Sequence, residues 1–386
     1  MNAIADYRRY PLISPLLDAR LQPDLIEVTW ADQRRSPFHF LWLRDNCPCP
    51  QCVYNVTREQ VFEIADVALD LQAVSVEVDE QGALAVHWQD GHHSRFDPGW
   101  LRAHAYDDAS RAEQEAARPQ KQRWLSDLSL PVFEFEAIMH DDRALLDWLL
   151  AVRDIGLTQV RGVPTAPGSL TQVAERIAFV RQTNFGVLFN VQSKADADSN
   201  AYTAFNLPLH TDLPTRELQP GLQFLHCLVN DAVGGGSRFV DGFAIAEVMR
   251  REDPQAYRLL CETPVEFRNK DRRSDYRFLA PVIALDARGE VAEVRLANFL
   301  RGPFNLEPAL MQPFYRAYRL FIEMTRQTRF QFRQRLEAGQ LWCFDNRRTL
   351  HARDAFDPAS GARHFQGCYV DRDELLSRIW VLQRQS

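Results

Sequence analysis

The chain has 386 residues, 46% hydrophobic and 25% charged, which is enough for two domains or one large domain with an appendage. A formal charge of −7 and a pI near 5.8 argue against a nucleic-acid binder and fit a cationic substrate without demanding one. No apolar run reaches transmembrane length and the segment Met1 to Arg9 has no signal-peptide core, so a cytoplasmic protein is expected, its seven cysteines reduced or metal-bound.

In chain order, Leu25 to Ala31 alternates apolar and polar residues and predicts a strand, and Phe38 to Leu43 predicts a second. Cys47, Cys49 and Cys52 follow in a proline-held loop. Val74 to Val78 and Leu84 to Trp88 read as a hairpin across Asp79-Glu80-Gln81-Gly82, and His92 and His93 lie just beyond it. Three thiolates and one histidine from a hairpin end make a tetrahedral zinc site, with His92 favoured over His93. A Cys3His shell is already full, which favours a structural over a catalytic zinc; the alternative is a chance cluster of free thiols. Asp97-Pro98-Gly99-Trp100 reads as a turn or helix start. A charged stretch follows, with a short helix expected from Ser110 to Arg118, Ser110 as its N-cap and Glu113 closing a capping box. The division expected is a zinc-binding β domain over 1–105, a linker over 106–129 and a catalytic domain over 130–386.

Beyond the linker, Ala144 to Leu150 is amphipathic, with Asp141 or Asp142 as N-cap. Gly156 to Val160 reads as a strand and Thr171 to Arg181 as a helix. Short strands then dominate: Leu222 to Val229, Val265 to Arg268, Val282 to Leu285, Val291 to Leu296, Leu341 to Phe344, Thr349 to His351 and His364 to Val370. Helices are expected at Phe243 to Arg251, Pro254 to Cys261, Leu310 to Met324 and Glu374 to Leu382. The glycine turn Gly234-Gly235-Gly236-Ser237 lacks the following Gly-Lys-Ser of a phosphate-binding loop. This order predicts an α+β fold, mainly β, as an antiparallel double sheet with helical buttresses.

The chemistry centres on Leu207-Pro208-Leu209-His210-Thr211-Asp212-Leu213-Pro214. On a strand, His210 and Asp212 point to one face. With a third ligand they form the 2-His-1-carboxylate set that holds Fe(II) and leaves one metal face open. A His-x-Asp alone is weak evidence, because ten histidines give roughly half of one by chance. His140-Asp141-Asp142 is such a coincidence, read here as a helix cap. The third ligand should be a downstream strand histidine; His226 falls on a core strand, which leaves His351 and His364. His351 is preferred because Arg363, twelve residues on, can return on the neighbouring strand and place a guanidinium fork on a distal carboxylate. Ser237 is a weaker candidate for the same carboxylate.

This set resembles the Fe(II)/2-oxoglutarate dioxygenases. From Trp42-Leu43-Arg44-Asp45-Asn46-Cys47-Pro48-Cys49 to Arg363-His364-Phe365-Gln366-Gly367-Cys368-Tyr369, the chain is similar to their γ-butyrobetaine-hydroxylating branch. The resemblance implies a double-stranded β-helix (jelly-roll) catalytic domain. It implies iron on His210, Asp212 and His351, the co-substrate 2-oxoglutarate on Arg363, and zinc on Cys47, Cys49, Cys52 and His92. It also implies oxidation by O2, support by ascorbate, a homodimer and a place in carnitine biosynthesis. The positions matching an aromatic cage for the trimethylammonium group are Phe185, Phe189, Tyr202 and Tyr369. Phe185 and Phe189 depart from the Tyr and Trp of that pattern. Ser199 replaces an asparagine near the substrate carboxylate, and Asn298 matches another polar contact. The alternatives are another trimethylammonium substrate, such as trimethyllysine, and a non-catalytic metal-binding jelly-roll that senses a small acid.

Overall fold

The computed structural model describes residues 6–192, 204–271 and 274–385. Contacts divide the chain into two compact units, Met1–Pro119 and Gln120–Ser386.

The first unit holds two three-stranded antiparallel sheets, Leu16–Leu21, Leu25–Trp30 and Arg35–His39 in one, and Ala73–Val78, Leu84–Trp88 and His93–Phe96 in the other. Ile26, Val28 and Trp30 are fully buried at every second position, the period of a strand with one face in the core. The indole N–H groups of Trp30 and Trp88 donate to Ser36 and Ser94, so neither buried donor is lost. Gly82, at φ 76°, turns the expected hairpin.

Two local expectations fail here. The second strand stops at His39, and Phe40–Asp45 is helical. Phe40 and Leu43, three apart, both reach the core from a helix, and the turn returns the chain toward the cysteine loop. The helix Asp108–Ala116 is capped by Asp107, whose carboxylate accepts the Ser110 N–H; Ser110 lies inside the first turn. Glu113 pairs with Arg34 and closes no capping box. The carboxylate, one residue within reach of the free N–H groups, wins over the hydroxyl.

The second unit is built on two sheets. A six-stranded sheet runs in the order Val132–Glu134, Leu157–Arg161, Leu341–Asp345, Leu222–Asn230, Arg363–Val370, Phe189–Val191, antiparallel except for its first pair. A four-stranded antiparallel sheet runs Leu207–His210, Thr349–Arg353, Ser237–Asp241, Phe332–Gln334. Their inner faces meet where Phe239 packs on Trp342 and Phe344, at ring distances of 5.1 and 5.5 Å. Helices Asp142–Ile155, Ser169–Glu175 and Arg372–Gln385 cover the outside of the larger sheet. Helices Gly242–Glu252, Pro254–Glu262 and Pro308–Arg326 pack against the smaller one. This is the jelly-roll plan, open between the sheets and not closed into a barrel.

Leu222–Asn230 reads as a continuous apolar run because both its faces are covered. Leu222 and Phe224 face the helices, while Gln223 and Leu225 face the opposite way, into the cleft between the sheets. Asp141 caps Asp142–Ile155 and Gly156, at φ 81°, ends it. The neighbouring His140 side chain is exposed beside Glu136, as befits a cap and not a metal site. The helix expected over Thr171 to Arg181 spans Ser169–Glu175, and the strand Asp275–Ala280, paired with Val265–Lys270, was not anticipated. Among the described residues no helix is long and apolar enough to cross a membrane.

Candidate active site

His210 ends its strand directly opposite His351, and the two rings lie 4.2 Å apart. The His210 Nδ1–H donates to the Pro208 carbonyl at 2.9 Å. A carbonyl only accepts, so this contact fixes the tautomer and turns the Nε2 lone pair inward. Nε2 of His210 lies 3.1 Å, and Nε2 of His351 3.7 Å, from Oδ1 of Asp212. All three ligand atoms lie within 4.8 Å of one another. Two imidazoles and one carboxylate converging this closely fit an Fe(II) ion with an open face.

Electrostatics agrees with that donor set. Burial, and then the neighbouring His210, pull His351 down to about 3, which keeps it neutral and able to ligate. Burial alone would raise Asp212, but His351, His210 and the Tyr369 hydroxyl together hold it well below the ordinary carboxylate range. Tyr369 donates to Asp212 Oδ2 at 2.7 Å.

The loop carrying Asp212 is held from several sides. Asn346, fully buried, accepts the Asp212 N–H at 2.7 Å and donates to the Asp212 and Pro220 carbonyls. Arg295 donates to the carbonyls of Pro214, Arg216 and Glu217, and Arg347 to that of Gln219. Leu213 turns the chain at φ 52°, a left-handed conformation that a branched residue adopts only under such restraint. Beneath, Arg348 and Asp241 form a fully buried ion pair at 2.7 Å, and Arg348 also donates to the carbonyls of Asp154 and Gln122.

The cleft over the triad is lined by both sheets, including Gln223, Leu225, Ser237, Phe239, Trp342, Arg353, Arg363 and Phe365. The Arg363 guanidinium lies 4.1 Å from the Phe365 ring centre and 5.0 Å from that of Phe356. Burial, and then Arg353, pull it from 12.5 to about 9. No carboxylate among the described residues pairs with it. A half-buried cation at the cleft, paired with no carboxylate among the described residues, is suited to an incoming carboxylate. Ser237 lines the same cleft opposite Arg353 in register.

Of the cage positions, Phe189 and Tyr369 stack at 5.1 Å with a 30° tilt, and Phe185 stands 6.3 Å from Phe189. Phe189 lies across Gly367, where any Cβ would overlap its ring. Tyr202 and Ser199 fall outside the described residues. Asn298 does not line the cleft: its side chain is exposed and accepts from Arg301. The next residue, Phe299, reaches the metal site instead, 5.2 Å from the His210 ring.

In the first unit the thiols of Cys47, Cys49 and Cys52 surround His92 Nε2 at 3.2, 3.6 and 3.6 Å. A tetrahedron with ordinary zinc bond lengths has sulfur–nitrogen edges of about 3.6 Å. Burial pushes the Cys47 thiol up to about 12, a penalty on the thiolate that a bound dication offsets. His93 stays outside the cluster, packed edge-on against His87.

Residues 116–369 match the taurine catabolism dioxygenase TauD, TfdA family, and residues 18–121 match the γ-butyrobetaine hydroxylase-like N-terminal family. The chain is 72% identical over 383 residues to a γ-butyrobetaine dioxygenase of Pseudomonas sp. (strain AK-1), covering 99% of this chain and 100% of that one. It is 31% identical over 372 residues to the human γ-butyrobetaine dioxygenase, covering 94% and 95%. It is 28% identical over 359 residues to the mitochondrial trimethyllysine dioxygenase of Bos taurus, covering 90% and 83%. With a His–Asp–His triad between two jelly-roll sheets and similarity along its whole length, the chain belongs to the TauD/TfdA dioxygenases, in their γ-butyrobetaine dioxygenase branch.

Proposed function

We propose that this protein hydroxylates γ-butyrobetaine at C3, giving L-carnitine, while 2-oxoglutarate and O2 become succinate and CO2. The observation that carries the reading is one cleft holding His210, Asp212 and His351 together with Arg363, half-buried and paired with no carboxylate among the described residues. His210 Nε2, Asp212 Oδ1 and His351 Nε2 would hold Fe(II), which when bound supplies the activation of dioxygen. Arg363 would take the distal carboxylate of 2-oxoglutarate, with Ser237 beside it. Leu225, Phe239, Trp342 and Phe365 exclude water from the reacting atoms.

The rings of Phe189, Phe185 and Tyr369, with Tyr202, would take the trimethylammonium group. A quaternary ammonium has no N–H to donate, so ring faces are its best partners. Ser199 would lie near the substrate carboxylate. Cys47, Cys49, Cys52 and His92 would hold a structural zinc, making residues 1–105 a metal-stabilised domain joined by a linker over 106–129 to the catalytic domain over 130–386. The resemblance further supports a homodimer, tested by sedimentation equilibrium, and support by ascorbate, tested by omitting it from turnover.

The test is succinate formation with γ-butyrobetaine, trimethyllysine and γ-aminobutyrate, with and without Fe(II). Iron-dependent succinate with γ-butyrobetaine, absent in His210→Ala and Asp212→Ala and retained in His140→Ala, supports the reading. Faster turnover of trimethyllysine moves the substrate to that neighbouring branch. Ligand binding without turnover of any amine returns the protein to the sensor class.

A further inference from the structure

Asp212 has two carboxylate oxygens, and the structure gives them different partners. Oδ1 faces the two imidazoles, and Oδ2 accepts the Tyr369 hydroxyl at 2.7 Å. The same Tyr369 ring lies 5.1 Å from Phe189, in the proposed cage wall. Its backbone is fixed in the sheet opposite Gln223, and the side chain is 2% exposed, so the phenol has little freedom to leave the carboxylate. One rigid side chain thus joins the wall to the metal ligand.

We propose that Tyr369 is a positioning residue for the metal: its hydroxyl occupies Oδ2 and so reserves Oδ1 of Asp212 for the ion, while its ring face meets the substrate cation. This rests on the proposed function for the cage half only; the hydroxyl half stands on the triad geometry. An anionic ligand held by one further donor presents a single oxygen in a fixed direction. Without the phenol, Asp212 is free to rotate about its terminal bond, and Oδ1 is no longer held toward the two imidazoles. The ring face and the hydroxyl therefore serve different partners and are separable by substitution.

Tyr369→Phe removes the hydroxyl and keeps the ring, and Phe189→Leu removes a ring and keeps the hydroxyl. The metal arm uses protein freed of iron with zinc kept in the Cys3His cluster, titrated with Mn(II) by calorimetry, and the visible spectrum of Co(II) added to the triad of the same zinc-loaded protein. The expected result for Tyr369→Phe is Mn(II) affinity lowered about 10- to 100-fold with an altered Co(II) spectrum, at an unchanged unfolding midpoint. In Phe189→Leu both metal readouts should match wild type. Wild-type Mn(II) affinity and Co(II) spectrum in Tyr369→Phe overturn the proposal. So does a loss of metal affinity in Phe189→Leu as large as in Tyr369→Phe, because the effect would then be general to the cleft. Binding of γ-butyrobetaine to the Mn(II)-loaded proteins is read separately. It should weaken in Phe189→Leu and hold in Tyr369→Phe, and weakness in wild type itself counts against the substrate assignment while the metal arm still decides the role of the phenol.

Discussion

Replacing Arg363 with methionine should make the protein more stable and, in the same stroke, blind to 2-oxoglutarate. Burial pulls the guanidinium from 12.5 to about 9. At about 1.4 kcal/mol for each pH unit, holding the charge there costs on the order of 5 kcal/mol, less what partial solvent contact and the rings of Phe356 and Phe365 return. Exchanging such an unpaired charge for an apolar side chain of similar length removes that cost and should stabilise the protein. In wild type, 2-oxoglutarate at a hundred times its Kd should add about 2.7 kcal/mol to the unfolding free energy of the metal-loaded protein. In Arg363→Met that increment should vanish, and the KM for 2-oxoglutarate should rise a hundredfold or more as a charge-assisted fork is lost. Thermal unfolding with and without 2-oxoglutarate reads both effects. A variant less stable than wild type without 2-oxoglutarate, yet still stabilised by it, would refute the assignment and turn attention to Arg353.

Purified protein should carry about one zinc per chain, and Cys49→Ser should lower zinc content and folded yield together; a zinc-free preparation of normal stability removes the structural site. Gly367→Ala should push Phe189 from its place and raise the KM for γ-butyrobetaine about 2- to 30-fold, the value of one cage face, with the KM for 2-oxoglutarate unchanged; steady-state kinetics with each substrate varied checks it. His226 is fully buried, and burial pulls it from 6.5 to about 4. The unfolded chain therefore binds the proton first, and stability is lost as pH falls from about 6.5 toward 4. Between pH 7.5 and pH 5 His226 should account for about 2 kcal/mol of that loss, and urea unfolding of His226→Leu should show the pH dependence reduced by this amount.

The side chains that the structure brings together in its two candidate metal clusters were largely legible. His210, Asp212 and His351 could be singled out by residue type together with Arg363, and the cysteine loop by its spacing, but Asp212 lies in the loop past its strand, so the shared strand face expected of His210 and Asp212 is not what brings them together. Arg363 was reached from the length of a strand–turn–strand return. The supports were not legible, because each acts across the fold. Asn346 meets Asp212 from 134 positions away and Tyr369 from 157. The one available signal was Asp345-Asn346-Arg347-Arg348, a polar run between two buried strands, which has to be satisfied internally. Tyr369 enters the cage by its match to the family pattern, and nothing in the sequence says where its hydroxyl points. Asn298 missed by one position: the short helical turn Asn298–Leu300 sends it outward and Phe299 toward His210. Phe38 to Leu43 was misread because a run of large apolar residues fits either period until its partners are known.

The Arg348–Asp241 pair bears on how the chain avoids folding wrongly. Asp241 pairs in register with Thr349, and Phe239 with His351. If Thr349–Arg353 slipped by one residue, every side chain on it would change face, and Leu350 would enter the cleft in place of His351. Such a slip would also draw Arg348 away from Asp241 and leave two charges unmatched in a dry interior, at about 3–5 kcal/mol. The pair thus acts as a proofreading lock on the alignment that the metal requires. An Arg348→Met/Asp241→Leu double variant should unfold at a lower midpoint, because Asp241 also accepts the Trp124 and Phe243 N–H groups, and should bind substoichiometric Mn(II), because part of the population would settle with the histidine turned out of the cleft.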